Sequence, residues 1–304
     1  MALYLVTGGA GFIGSHLADA LLAGGHRVRV LDDFSTGKAA NLDPGCEVLR
    51  GDAADPAIVA QAFAGVAGVF HLAAIASVQR GNEAWLETHR ANQTATVAIL
   101  DAARAAGRVP VVFASSAAIY GDTGDSVASE DLRPAPQTAY GADKLGSELH
   151  AAIGFTVHGV PSIGLRFFNV YGPRQDPGSP YSGVISIFAA RVAAGQPIIL
   201  HGDGQQTRDF VYVGDVVAHL LAAMRSLGTT PQANVFNVCT GRATSILALA
   251  TLLGELRNRV PDIGYGPARA GDIRQSLGNP ARAVAGLGVA ANVALRDGLA
   301  RMMG

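Results

Sequence analysis

The stretch LYLVTGGAGFIGSHL near the N-terminus constrains the chain more than any other. Residues 3–7 read as a buried strand and residues 12–23 as a helix. Between them Gly8, Gly11 and Gly14 fall three apart, and Gly9, Gly11 and Gly14 also give a GxGxxG frame. Glycines at such a junction allow a tight turn and a close approach of backbone to a pyrophosphate at the helix N-terminus. The frame alone is weak, because any strand-to-helix turn can hold glycines. Its context strengthens it: a second strand, RVRVLD at 27–32, ends in Asp32, 18 residues past Gly14. An acid there accepts hydrogen bonds from the ribose hydroxyls of a bound adenosine. Asp33 adds a second negative charge and no arginine directly follows. A 2′-phosphate is repelled, so NAD is favoured over NADP.

Apolar runs at 68–73 and 109–115 supply further strands. Long helical stretches are expected over about 84–106 and over 138–157. Strands alternating with helices predict an α/β fold with a Rossmann-type doubly wound parallel sheet. Residues 1–170 are read as the NAD-binding domain, with a segment near 205–240 returning to it. Residues 171–304 are read mainly as a smaller α/β substrate-binding region over the carboxyl ends of the strands, where ligands bind in open sheets. Past residue 170 the loops lengthen, as in GPRQDPGSPYSG, and the later strands and helices are expected to be shorter.

Composition narrows the function. Hydrophobic residues make up 49% and charged residues 15% of the 304, as in globular proteins. A net charge of −1 gives no electrostatic support for a nucleic-acid or membrane-surface partner. Cys46 and Cys239 form no CxxC or Cys/His cluster, which argues against a disulfide framework and against a metal site. The first residues lack the pattern of a signal peptide, and no apolar run approaches the ~18–20 residues of a membrane span. A cytoplasmic location is the default expectation.

The segment TAYGADK places Tyr140 and Lys144 four residues apart, on one face of the expected helix. Such pairs are common on exposed helices. Here they follow a dinucleotide loop and a strand ending in Ser115 and Ser116. A free tyrosine has a pKa of about 10, and a neighbouring ammonium favours its phenolate. Lys144 can also hydrogen-bond the nicotinamide ribose, and Ser116 can hold the reacting hydroxyl. Hydride transfer at a secondary alcohol is the chemistry these groups suit.

TGGAGFIG, HLAA, SSAAIYG, YGADK, RFFNVYGPRQ and GDGQQTRDFVYVGDV occur in this order along the whole chain. In these motifs the chain resembles the extended short-chain dehydrogenase/reductase family and, within it, the NAD-dependent nucleotide-sugar epimerases, most of all the UDP-glucose (UDP-galactose) 4-epimerases. The resemblance implies that Ser116, Tyr140 and Lys144 are catalytic. It assigns to the cofactor Gly8, Gly11, Phe12, Ile13, Gly14, Asp32, Asp33, Phe34, Ser35, Thr36 and Gly37. It adds Asp52 and Ala53 beside the adenine, and Leu72, Ala73, Ala74, Ser115 and Phe168 toward the nicotinamide. Asn92 would support that site, although its flank RANQT departs from the family's usual pattern. On the UDP-sugar side, Asn169 and Arg208 would meet the diphosphate, with Arg269 and Asp272 a second anchor. Val184, Ile185, Leu200 and His201 would surround the uridine. A homodimer paired through helices 84–106 and 138–157 is a further implication.

The implied reaction is inversion at C4 of a UDP-hexose through a transient 4-keto sugar. Related 4,6-dehydratases carry acidic residues after the strand-five serine, where this chain has Ala117 and Ala118, which cannot move a proton. Ser276 stands where relatives border the sugar's 2-substituent, and its small side chain leaves room for the N-acetylhexosamine pair. The alternatives are an epimerase or other oxidoreductase of a different nucleotide sugar (a UDP-uronic acid, a GDP- or a dTDP-sugar) and a non-catalytic NAD-binding sensor.

Overall fold

The computed structural model describes residues 1–176, 178, 183–268 and 273–303. Its centre is a seven-stranded, wholly parallel sheet. Six of its strands come from residues 1–170: β1 (Leu3–Thr7), β2 (Arg27–Asp32), β3 (Glu47–Arg50), β4 (Gly68–His71), β5 (Val111–Ser116) and β6 (Ser162–Phe167). After β7 (Asn169–Tyr171), β8 (Ile198–His201) and β9 (Thr207–Tyr212) the chain returns to the sheet with β10 (Ala233–Val238). The order is β3-β2-β1-β4-β5-β6-β10, so the winding reverses between β1 and β4. A crevice opens at such a reversal, over the carboxyl ends of the strands.

The strands are apolar on both faces because helices cover both. Val6, Val30, Val112 and Ile163 pack with α1 (Phe12–Ala23) and the helix Val213–Thr229. Their neighbours Leu5, Leu31, Val111 and Phe113 pack on the other side with residues of α2 (Pro56–Ala62) and of the helices that follow β4 and β5. Of these helices α5 (Ala95–Ala105) and α6 (Ala139–His158) carry the packing, and α3 (Val78–Glu83) and α4 (Trp85–His89) precede them in the chain.

The later part builds a smaller layer. β9 pairs with β7, with β11 (Ala243–Ser245) and with β13 (Gln275–Ser276), and β8 pairs with β12 (Ile263–Gly266). Phe188 of α7 (Val184–Ala194), Leu200, Leu249 and Leu253 form its core.

Four elements differ from the sequence expectation. The helix expected over 84–106 is α4 and α5 joined by a π turn, Arg90–Thr94. That wider turn carries Asn92, fully buried, whose amide bonds the backbone of Ile75 in both directions (2.8 and 3.2 Å). The strand expected at 68–73 stops at His71, because the amide of Ala73 turns to the Thr7 hydroxyl. The later helices are not uniformly shorter: α8 (Val213–Thr229) has 17 residues, since it crosses the sheet between β9 and β10. β3 was not expected, because this edge strand, EVLR, is mostly exposed and has no apolar run. No helix among the described residues is long and apolar enough to cross a membrane.

Candidate active site

The carboxyl ends of β1, β2, β4, β5 and β6 open into one cleft of about 950 Å3. The turn between β1 and α1 forms its floor. Gly8 has φ +69°, and a Cβ there would stand 2.7 Å from the Ala73 nitrogen. A Cβ on Gly14 would stand 2.2 Å from the Gly8 carbonyl oxygen. Both positions exclude any side chain, so α1 lies hard against the turn. Gly11 caps α1 without a side-chain bond, and Phe12 and Ile13 of the first turn line the cleft. Their unpaired N–H groups are an anion cradle.

Asp32 ends β2 beside this cradle. Its carboxylate accepts from the amides of Ala10 and Phe34, each at 2.9 Å. Burial pushes its pKa up, the two amides pull it back, and neighbouring Asp33 adds to the rise. Each oxygen keeps a further lone pair for a ribose hydroxyl. Asp33 accepts from the amide and hydroxyl of Ser35 (2.8 and 2.7 Å) and lines the cleft with Thr36 and Gly37. Phe34 stands outside that lining, its ring 5.8 Å from the Arg50 guanidinium. Asp52 and Ala53 line the far end, where Asp52 pairs with Arg90.

At the other end stand the groups of the reaction chemistry. Thr138 caps α6 by accepting from the Gly141 amide at 3.0 Å, which starts the helix just before Tyr140. Ser116 Oγ accepts from the Ala118 amide at 3.1 Å. Burial pushes the Tyr140 phenol above its ordinary pKa, and its hydrogen bond with Ser116 pulls it down. Lys144 Nζ lies 5.7 Å from the Tyr140 ring centre and donates to the Ala114 carbonyl at 2.9 Å. Burial lowers the Lys144 pKa to about 8, with Asp143 opposing. A proton held this loosely at neutral pH can be shared with a phenolate.

Lys144 also gives a stability prediction. Its pKa is about 8 when folded against 10.5 for the free side chain, so between those values the unfolded chain binds more protons. Stability therefore rises with pH across that window, and below it the buried ammonium is a standing cost. Lys144→Met removes that cost and loses one hydrogen bond. We expect the variant to be more stable at pH 7 by about 2 kcal/mol, a gain that shrinks from pH 8 to 10.5. Denaturant melts at both pH values check it.

Sequence reasoning gave no role to the buried chain beneath the site. Thr7 Oγ1 and His71 Nδ1 are 2.7 Å apart, and His71 Nε2 and Thr96 Oγ1 are 3.2 Å apart. Burial, then the charge of Lys144, lowers the His71 pKa to about 3, so the ring stays neutral. The polar histidine at the end of an apolar strand was the available signal. Also unforeseen was a strap over the mouth of the cleft. After β7, the Pro173 carbonyl meets His16 Nε2 (2.9 Å), Arg174 pairs with Asp19 (2.7 Å), and Asp176 pairs with Lys38 (2.5 Å).

Leu72, Ala73, Ala74, Ser115, Phe168 and Asn169 line the cleft. The Ser115 hydroxyl, however, donates to Glu148. Asn92 supports the wall through Ile75, which lines it. The other expected substrate residues stand outside the described lining. Ile185 and Leu200 are core residues with Val184 packed on them. His201 and the Pro267 carbonyl are 3.2 Å apart. Arg208 donates to the Ile273 carbonyl at 2.9 Å, and its strand neighbour is Ser276. Arg269 and Asp272 lie outside the described residues.

Known proteins resemble the chain over nearly its whole length. The model of the NAD dependent epimerase/dehydratase family matches residues 4–239. The UDP-glucose 4-epimerase of Mycolicibacterium smegmatis is 37% identical over 306 residues, covering 98% of this chain and 96% of that one. The crystal structure of the UDP-glucose 4-epimerase of Thermotoga maritima with UDP-glucose superposes with a TM-score of 0.95 at 35% identity, covering 99% of this chain and 97% of that one. The Thermus thermophilus UDP-glucose 4-epimerase in complex with NAD gives 0.91 at 36%, with the same coverage. With a family model matching residues 4–239 and a relative 37% identical over nearly its whole length, the chain belongs to the NAD dependent epimerase/dehydratase family.

Proposed function

We propose that the protein inverts C4 of a UDP-hexose, interconverting UDP-glucose and UDP-galactose. The observation that carries this reading is the placement of Ser116, Tyr140 and Lys144 in the dinucleotide cleft, followed by Ala117 and Ala118 instead of acids. The cradle of Gly8 and Gly14, the α1 N-terminus and Asp32 fit NAD. NAD held there would supply the acceptor and donor for the hydrogen of C4 with its electron pair, so the net redox change would be zero. Tyr140 removes the 4-hydroxyl proton and later gives it back. Ser116 holds the oxygen while it is a carbonyl. Lys144 stabilises the phenolate and holds the nicotinamide ribose. Residues 171–304 supply most of the UDP-sugar contacts, with Arg208, Arg269 and Asp272 anchoring the nucleotide while the hexose turns.

Ser276 favours a second substrate pair, UDP-GlcNAc and UDP-GalNAc. It is a small residue beside Arg208 on the neighbouring strand, at a position where a bulkier one would crowd an N-acetyl group. An NMR time course with UDP-glucose and UDP-GlcNAc in separate tubes tests both readings. Turnover of both supports them together. UDP-glucose alone removes the argument from Ser276. Turnover of neither, with NAD bound, moves the substrate to another nucleotide sugar.

The enzyme is further proposed to be a homodimer. Leu149, Ile153 and Val157 stand exposed at successive turns of α6, beside exposed Val97 of α5. Two such helix pairs about a two-fold axis bury that stripe as a four-helix bundle. Sedimentation at micromolar concentration reads the mass, and a monomer discards the proposal.

A further inference from the structure

The proposed mechanism uses Tyr140 and Lys144 of α6 but not the next residue on the same stripe, Glu148. Glu148 is 8% exposed, a charge kept from water that is not itself part of the cleft lining. Both its oxygens are engaged. Arg166 of β6 donates to them from Nε at 2.9 Å and from Nη2 at 2.7 Å. Ser115, next to Ser116 on β5, donates its hydroxyl to the same carboxylate. Ser115 and Arg166 are neighbours in the parallel register.

Helix α6 thus meets β5 at two successive points: Lys144 on the Ala114 carbonyl, and Glu148 on the Ser115 hydroxyl. One point of attachment lets a helix pivot. Two, one turn apart, fix its rotation and its height over the strand. We propose that Glu148, gripped by Ser115 and Arg166, is a positioning residue that sets where Tyr140 stands against Ser116. The grip extends further. Arg166 Nη1 donates to the Tyr120 hydroxyl (2.8 Å), which donates to Asn237 (2.6 Å). Asn237 donates to the Ala128 carbonyl (2.9 Å), and the Ala128 amide donates to Leu277 (2.9 Å). The catalytic helix and the strand bearing Ser276 are therefore tied through one buried hydrogen-bonded chain.

The inference rests on the proposed reaction, and its test separates the two. Glu148→Gln leaves Arg166 buried without a counter-charge and is expected to fold poorly. Two gentler variants keep the question open to experiment. Ser115→Ala removes one hydrogen bond and unpairs no charge. Glu148→Met with Arg166→Met replaces the pair by apolar chains of similar volume, an exchange that buried pairs tolerate. We expect melting temperatures near wild type, with kcat down about five-fold in Ser115→Ala and about thirty-fold or more in the double variant. In the double variant the KM for the UDP-sugar and the Kd for NAD stay within about two-fold, since neither Glu148 nor Arg166 lines the cleft. A double variant with wild-type kcat overturns the proposal, as does a fall in kcat that only follows the folded fraction. Crystal structures of both variants read the same point with no substrate. A displaced Tyr140 supports the clamp whatever the sugar proves to be, and an unmoved Tyr140 sinks it.

Discussion

Tyr140→Phe folds and binds NAD as the wild type does, but interconverts UDP-glucose and UDP-galactose about 10^3-fold more slowly. The phenyl ring keeps the packing of the tyrosine on α6, so little stability is at stake. What goes is the one group placed to take the proton from the 4-hydroxyl. A positioned acid–base residue contributes typically about 10^2–10^4-fold. Ser116 cannot replace it, because a serine hydroxyl has no basic form near neutral pH and its oxygen already accepts from the Ala118 amide. In the wild type, burial holds the phenol above its ordinary pKa and the Ser116 hydrogen bond opposes. The rate therefore climbs with pH until the phenolate forms, and the variant loses that limb. NMR turnover assays across pH, beside NAD titrations, check the prediction. A loss below ten-fold would hand the base's role to another side chain.

Gly14→Ala has the second largest expected effect, at the other end of the cleft. The added Cβ would lie 2.2 Å from the Gly8 carbonyl oxygen and 2.8 Å from the Gly9 Cα. Both are backbone atoms, so no rotamer change relieves the clash. The helix must back away from β1, and its N–H groups then leave the place of the pyrophosphate. We expect a loss of about 2–3 kcal/mol in folding stability and at least about 100-fold in NAD affinity. Gly25→Ala is the control: nothing lies within 4 Å of its Cβ, and its φ of +75° carries only backbone strain. Thermal melts and NAD titration of both variants separate the steric effect from the conformational one. Wild-type affinity in Gly14→Ala would show that the turn adjusts without cost.

Much of the NAD half was legible because its function is written in local sequence. The β1 turn, Asp32 and the Tyr140–Lys144 spacing are all short-range patterns tied to backbone geometry. The observed α1, Phe12–Ala23, has the bounds its pattern suggests. The unread features depend on distant partners. His71 is one letter at a strand end until folding sets it between Thr7 and Thr96. Glu148 and Arg166 sit 18 positions apart, on a helix and on a strand. Edge strand β3 needs no apolar pattern, so it left none. On the sugar side, Ile198–His201 is a short apolar run that does not say which face a ligand would meet. Leu200 proves to be wholly buried.

The strap formed after β7 has a consequence for how the protein sits within metabolism. A catalyst that lends out and recovers the same electron pair needs its NAD to outlast each turn of the sugar. The two ion pairs of the strap, Lys38–Asp176 and Arg174–Asp19, join the loop to the segment after β2 and to α1. Both are partly open to water, so dissolved salt weakens them while leaving the reacting set around the buried Lys144 nearly untouched. We expect rising ionic strength to hasten the release of NAD while leaving the turnover of the loaded enzyme nearly unchanged, which NAD release rates measured across salt concentrations check. While the strap holds, sugar interconversion runs as a closed loop, insulated from the ratio of oxidised to reduced NAD around it.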